Sequence, residues 1–470
     1  MKPIMEPRTL EYVVECLAAA DFRGDPRVVI QRVCTDSRKL QPGDLFIALR
    51  GERFDGHEFL MKAAELGAGA VICERVPEGF PAKGCGLIRV PDSRRALAEL
   101  AARYRSDFDL PIVVVGGSNG KTTTKELVAA VLRQRFHALA SEASFNNDIG
   151  VPLTLLELDR SHQAAVLEIG TNHPGEIASL MRLVRPRYGV TTSIGAEHLE
   201  FFHDLNGVAE EEGWLPQLLP VNGRFFVNGD DPWSDRLGRR TSAGVSRVGL
   251  GPVNQWRAEA VQVDAAGTAF RLEAPDEKLA GDYRVNLLGR HQVTNALLAL
   301  AVGGELGLGR TELQRGLAAC AGVKMRLQLF EAEGVTVIND AYNANLDSTR
   351  AALQTLRDLP CGGRRVAVLG DMAELGEQTA AAHREVGRLA AAAGLDQLFT
   401  VGAMAGETAE AARAAGLADV TPIESVEIAV EAVKGFARSG DLILVKASRA
   451  ARLERVADAF RAVAVGGAAT

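Results

Sequence analysis

The spacing of apolar and polar positions divides the chain into three stretches, each with the rhythm of an α/β domain. In the first, the short apolar runs "DLFIAL", "GAVIC" and "GLIRV" predict buried strands between helix candidates. This stretch closes with "DSRRALAELAARY", an amphipathic helix for which Ser93 is the expected N-cap. "SDFDLP" breaks the pattern before the strand "IVVV". From about Leu110 to about Gly322, strands and helices then alternate, as in a largely parallel sheet covered on both faces. A second restart follows "AGVKMR". There "VTVIND", "RRVAVLGD", "DQLFTVG" and "DLILVKAS" each precede an Ala-rich helical stretch, the pattern of a doubly wound sheet with ligands at the carboxyl ends of its strands. The expectation is three α/β domains in series: a smaller one over 1–108, a central P-loop ATPase-type parallel sheet over 109–322, and a Rossmann-like doubly wound sheet over 323–470.

Composition narrows the function classes. The formal net charge of −7, with both signs interleaved, argues against a nucleic-acid partner. The six cysteines, at 16, 34, 73, 85, 320 and 361, contain no C-x-x-C pair and suit a reducing cytoplasm. No apolar run reaches the ~18 to 20 residues of a membrane helix, and "MKPIMEPRTLEYVV" lacks the apolar core of a signal peptide. A cytoplasmic protein without membrane insertion is expected.

Chemistry enters with "VVVGGSNGKTTTKELVAAVL". Glycines at 116, 117 and 120 let backbone N–H groups turn toward one anion, Lys121 adds a charge, and Thr122 adds a hydroxyl for Mg²⁺. Position 115 is Val, so the pattern is the short G-x-x-G-K-T from Gly117; the alternative is a glycine-rich turn with an incidental Lys-Thr. "AAVLEIG" puts Glu168 near a strand's carboxyl end, as a metal-holding acid or as a solvent-facing one. "VTTSIGAEHLEFF" places His198 in a polar loop, where it is either functional or structural.

Together these motifs resemble the Mur ligase family, ATP-dependent amide-forming enzymes of peptidoglycan synthesis. "GSNGKTT", "EIG" and "EHLE" match its phosphate loop, acid and His loop, and "NNDIGVPLTLL", "LLGRHQVTNALLALA", "INDAYNAN" and "DLILVKASR" resemble further blocks in the same order. "TDSR", "PGDLFIALRGERFDGH", "DAYNANLDS" and "LGDMAELGEQTAAAH" are most similar to the member that joins D-alanyl-D-alanine to UDP-N-acetylmuramoyl-tripeptide. Two positions depart from the pattern: Leu346 stands where Pro is typical, and Gln292 where Asn is frequent.

The resemblance implies ATP and Mg²⁺ as cofactors, an acyl-phosphate intermediate, and a monomer. Gly117, Ser118, Asn119, Gly120, Lys121, Thr122 and Thr123 would cradle the phosphates. Thr122 and Glu168 would hold one Mg²⁺, and His198 part of a second. His291 and Asn295 look like the adenine segment, and Asp340 like the ribose contact; Asn295 reads equally as part of a helix start near Thr294. Asn147, Asn343 and Asn345 fall where the family lines the substrate site, the last two reading also as Asx turns. Lys446, Ser448 and Arg449 would face the cleft toward an acyl phosphate or the dipeptide carboxylate, or else begin a basic helix. Ser37 and Arg38 would serve the uridine diphosphate, although "TDSR" alone is an ordinary turn.

One further departure concerns the second metal site. Family members commonly carry a lysine there that CO₂ converts to a carbamate, and in "GVAEEEGWLP" the matching position is Glu212. Glu212 is expected to replace the carbamate; the alternative is a solvated acidic turn formed by Glu210, Glu211 and Glu212. Two other functions fit the phosphate loop: a folylpolyglutamate synthetase of the same family, and a P-loop switch NTPase.

Overall fold

Three large sheets follow one another along the chain in the computed structural model, which describes residues 5–466 apart from 18–19, 52–53 and 82–83; a two-stranded antiparallel pair, Arg8–Thr9 with Val29–Ile30, accompanies the first. The first has five strands in the order Asp21–Arg23, Gly86–Arg89, Ala70–Cys73, Leu45–Ile47 and Val33–Cys34, parallel except at the Asp21–Arg23 edge. Helix Ser93–Arg105 leaves this sheet. Its N-cap is Asp92, which accepts from the Arg95 N–H at 2.9 Å, so the expected cap at Ser93 is displaced by one residue. An aspartate with the extended backbone of a cap wins over a serine already inside the first turn. The buried face of this helix, Leu97, Leu100 and Tyr104, belongs to a core shared with the central segment, and the Tyr104 hydroxyl donates to the Leu158 carbonyl.

The central sheet has nine strands. Seven are parallel, in the order Trp256–Asp264, Gly244–Gly249, Arg224–Asn228, Tyr188–Thr191, Ile112–Gly116, Ala164–Glu168 and Ala138–Ala140. Gly267–Glu273 and Gly281–Val285 extend it antiparallel beyond Trp256–Asp264. Ile112–Gly116 is buried along its whole length, as a near-continuous apolar strand between parallel neighbours should be. After this strand the chain lays down the edge strand Ala138–Ala140, fills the gap with Ala164–Glu168, and then crosses to the other side. The crevice between Ile112–Gly116 and Tyr188–Thr191 is therefore the switch point where open α/β sheets bind ligands.

The third sheet has six strands, in the order Gln328–Ala332, Val335–Asn339, Leu442–Lys446, Arg365–Gly370, Gln397–Val401 and Val420–Ile423, antiparallel only at its Gln328–Ala332 edge. Helices cover both faces over two apolar clusters, one on each side. The carboxyl ends of Val335–Asn339 and Leu442–Lys446 face the central switch point. Cross-segment bonds fix that approach: Asn345 Nδ2 donates to Asn119 Oδ1 at 2.9 Å, and Tyr342 pairs with Ser144 through their hydroxyls. No described helix is long and apolar enough to cross a membrane.

Candidate active site

The phosphate loop follows from its glycines. Gly117 and Gly120 have φ of +107° and +86°, and a Cβ on Gly117 would lie 2.8 Å from the Thr192 amide nitrogen, so no other residue fits there without displacing backbone. Helix Lys121–Leu132 starts at Gly120 with no side-chain cap, which leaves its first N–H groups for an anion. Ser118 ties the loop to the neighbouring strand's exit, accepting from Gly195 N–H at 2.9 Å, and the Asn119 N–H donates to Ser193 Oγ at 3.2 Å. The Lys121 ammonium lies 2.5 Å from the Gly117 carbonyl and 3.4 Å from Glu197. Burial opposes its charge, but the carboxylates of Glu197, Glu212 and Glu168 outweigh that and raise its pKa. It is therefore a cation at any physiological pH.

A cavity of about 570 Å³ opens above this loop, lined from the central and third segments together. Glu168 ends its strand buried, one oxygen accepting from Asn146 Nδ2 at 2.8 Å and the other without a partner. Thr122 is buried and accepts at its Oγ1 from Arg326 at 3.2 Å. His198 lines the same cavity from a left-handed position, φ +51°, at the start of helix Leu199–Phe202.

The three glutamates of "EEE" separate by role. Glu210 is exposed and pairs with Arg236 and Arg240. Glu211 accepts from the Gly175 and Ile177 N–H groups at 2.8 and 2.9 Å and holds the start of helix Glu176–Val184. Glu212 is 1% exposed, lies directly beneath the loop, and has no ordinary hydrogen bond at either oxygen. Burial, opposed by Lys121 and reinforced by Glu197, pushes its carboxyl up to about 8. A uniformly solvated turn is thereby ruled out.

His291 and Asn295 sit on helix His291–Glu305, which begins a turn earlier than a start near Thr294, so Asn295 is not a cap. Asn295 Oδ1 accepts from Thr124 Oγ1 at 3.2 Å, and its amide donates to Gln292 at 2.9 Å. Gln292 also lies 3.0 Å from the His291 ring. Burial, opposed by Asp340 and reinforced by Lys446, lowers the His291 pKa to about 4, so the ring is neutral. Asp340 is paired with Lys446 at 2.6 Å and accepts from Leu327 N–H at 3.0 Å. Lys446 also donates to the Asn343 carbonyl at 3.0 Å. Asn345 is the N-cap of helix Leu346–Asp358, and Leu346 takes the first helical position, where Pro is favoured.

Seven expected residues lie outside the cavity lining, two of them Gly117 and Glu212 at the base of the phosphate loop. Ser37 and the exposed Arg38 sit on the turn after Val33–Cys34, where Arg38 pairs with Asp36 at 2.9 Å. Asn147 is exposed and caps the turn into helix Gly150–Leu155, accepting from Gly150 N–H at 2.9 Å; its neighbour Asn146 is the one that faces Glu168. Ser448 is buried and accepts from Ala373 N–H at 2.9 Å. Arg449 is 3.0 Å from Glu454. Conversely, the cavity holds residues that sequence reasoning passed over: Glu197, Asn146, Tyr342 and Arg326, whose guanidinium stacks 4.3 Å above the Tyr342 ring. Arg326 closes the boundary phrase "AGVKMR", and a cation at the joint between two nucleotide-type sheets was the available clue.

Comparison with known proteins agrees with this arrangement. Family models described as "Mur ligase family, catalytic domain", "Mur ligase middle domain" and "Mur ligase, glutamate ligase domain" match residues 29–105, 115–303 and 325–449. The UDP-N-acetylmuramoyl-tripeptide–D-alanyl-D-alanine ligases of Escherichia coli and Bacillus subtilis are 38% and 36% identical to the chain, each over 92% of it and over 94% and 93% of their own lengths. The chain belongs to the Mur ligase family. Among solved Mur ligases, MurF from Acinetobacter baumannii superposes with a TM-score of 0.89 at 29% identity, covering 97% of this chain and 99% of that one. MurF from Thermotoga maritima, in complex with ADP, superposes at 0.79 with 27% identity, covering 91% and 96%.

Proposed function

We propose that this Mur ligase joins D-alanyl-D-alanine to UDP-N-acetylmuramoyl-tripeptide at the expense of ATP, in the synthesis of peptidoglycan precursors in the cytoplasm. The observation that carries this reading is the cavity itself. A phosphate loop and under-partnered carboxylates from the central segment meet Arg326 and the Lys446–Asp340 pair from the third segment across one space. A carboxylate substrate must approach the γ-phosphorus of ATP, and the two anions repel. Lys121 and Arg326 neutralise that charge while the helix N-terminus orients the phosphates. The carboxylate oxygen bonds to phosphorus as ADP leaves. The dipeptide amine then attacks the acyl carbon, phosphate departs, and the nitrogen loses its proton.

Thr122, Glu168 and His198 would hold Mg²⁺, which neutralises phosphate charge when bound. The unpartnered oxygen of Glu168, in the cavity lining, fits that role; Glu212, buried beneath the loop with two unpartnered oxygens, would serve the second position. No three His, Cys, Asp or Glu side chains among the described residues already form a closed metal cluster, in keeping with a nucleotide site where phosphates and water complete the shell. The neutral His291, with Asn295 behind it, suits an uncharged adenine ring, and Asp340 suits the ribose. The three sheets are taken as domains over 1–108, 109–322 and 323–470, with Ser37 and Arg38 presented to the uridine diphosphate. Asn343, Asn345 and Lys446 surround the reacting carboxylate, and a single chain supplies every residue named, as a monomer would. ADP release tests the reading: it requires UDP-N-acetylmuramoyl-tripeptide and D-alanyl-D-alanine together. Turnover with folate and glutamate instead, or with no acceptor at all, overturns it.

A further inference from the structure

The block "GDMAELGEQ" follows strand Arg365–Gly370, and the reaction outlined above assigns it no role. Its root is pinned residue by residue. Asp371 accepts from the Ala403 and Met404 N–H groups at 2.8 and 3.0 Å, Met372 N–H donates to His383 at 3.0 Å, and Ala373 N–H donates to Ser448 at 2.9 Å. Glu374, next along, is held in the left-handed region at φ +60° and reaches into the central segment, where its carboxylate meets His198 Nδ1. Beyond it the loop stays in contact: a Cβ on Gly376 would lie 3.5 Å from Glu200 Cα, and Gln378 donates to the His203 carbonyl at 3.4 Å. Both members of the Glu374–His198 pair are thus non-glycine residues in a costly backbone conformation, and they face each other across a segment boundary.

A carboxylate against Nδ1 keeps the ring proton on that nitrogen and leaves the lone pair on Nε2. The Nδ1 atom is buried and makes no hydrogen bond of ordinary geometry, so Glu374 is the partner it has. We propose that Glu374 is a positioning residue for His198, setting its tautomer and ring orientation so that Nε2 binds the divalent cation serving the transferred phosphate. Because the two residues come from different segments, that half of the metal site is complete only when the third segment is docked. The proposal rests on the reading of His198 as a cation ligand given above.

The test is a titration of the full chain with Mn²⁺, followed by the paramagnetic resonance of the free ion, in the presence of a non-hydrolysable ATP analogue and UDP-N-acetylmuramoyl-tripeptide. Glu374→Ala weakens the weaker Mn²⁺ site about 10- to 100-fold. Glu374→Gln keeps an acceptor for the ring N–H and falls between wild type and Glu374→Ala. Gln378→Ala cuts the adjacent cross-segment bond without touching His198 and binds Mn²⁺ as wild type does. Unchanged Mn²⁺ binding in Glu374→Ala, or equal weakening in Glu374→Gln or in Gln378→Ala, overturns the proposal. A wild type that binds no Mn²⁺ beyond the nucleotide's own removes His198 as a ligand and takes the proposal with it, whereas a wild type that binds both ions but forms no amide fails only the substrate assignment.

Discussion

Replacing Glu212 by glutamine should make the ligand-free protein more stable while disabling it. The carboxyl is 1% exposed, has no hydrogen bond of ordinary geometry beyond a loose approach of the Gly117 N–H, and is pushed by burial from its ordinary 4.5 to about 8. Between those values the folded chain holds a proton that the unfolded chain releases. The stability this represents is fully present below pH 4.5 and is lost as pH rises through about 8. The loss amounts to about 3 kcal/mol at pH 7 and about 5 kcal/mol above pH 8. Glutamine is nearly isosteric, stays neutral, and leaves its amide as unpartnered as the protonated acid, so it avoids the penalty without a new one. If the central segment melts as a unit, about 3 kcal/mol corresponds to a gain of roughly 6–12 °C at pH 7. Melting of Glu212→Gln and wild type across pH, free of nucleotide and divalent cation, measures this. The gap should narrow to nothing near pH 4.5 and shrink when Mg²⁺ and ATP are added. A variant that melts at or below wild type at pH 8, or a gap that ignores pH, refutes the reasoning.

Lys121→Ala should retain the fold and lose roughly 10³-fold in amide formation, because its ammonium contacts only loop carbonyls and Glu197; near-normal ADP release from a folded variant would falsify that. If Glu212 takes the place of a carbamate, activity will be the same in CO₂-depleted and bicarbonate-supplemented buffer. Glu212→Ala will then cost far more turnover than Glu210→Ala, and reversible inactivation without CO₂, or equal losses, would exclude the substitution. Leu346→Pro should be neutral or stabilising by up to about 1 kcal/mol, since the position opens a helix and Asn345 before it is extended at φ −138°, ψ 175°; a lower melting temperature contradicts this.

The strands that carry the site were legible because they are buried on both faces. "IVVV", "AAVLE" and "LILVK" are apolar runs that nothing but a covered sheet accommodates. The strands at the far edge of the central sheet, Trp256–Asp264, Gly267–Glu273 and Gly281–Val285, were not, since their partly exposed faces interleave polar residues among apolar ones. Site residues divide in the same way. Those fixed by local geometry, such as the loop glycines, Lys121 and Glu168, stand out in a short motif. Arg326 and Glu374 matter only because of where a distant segment lands, and no periodicity reports that. Adjacent residues were the hardest to separate: Asn146 faces Glu168 while Asn147 caps a turn, a choice made by the chain's direction at one peptide. The cap at Asp92 instead of Ser93 is the same one-residue ambiguity.

The seam between the central and third segments combines polar pairs, Asn119 with Asn345, Ser144 with Tyr342, Thr122 with Arg326, His203 with Gln378 and His198 with Glu374, with a small apolar contact in which Leu288 packs into the third segment's core. Each such bond is worth about 1 kcal/mol net, because water takes over when it parts. The four hydrogen bonds together contribute only a few kcal/mol, and where the polar part of the seam parts, its two faces re-wet without presenting an oily surface to other chains. An apolar seam of the same extent would grip harder and open onto a patch prone to sticking. A seam that is largely polar thus suits a joint whose two surfaces, if parted to release a bulky product, would each be at home in water.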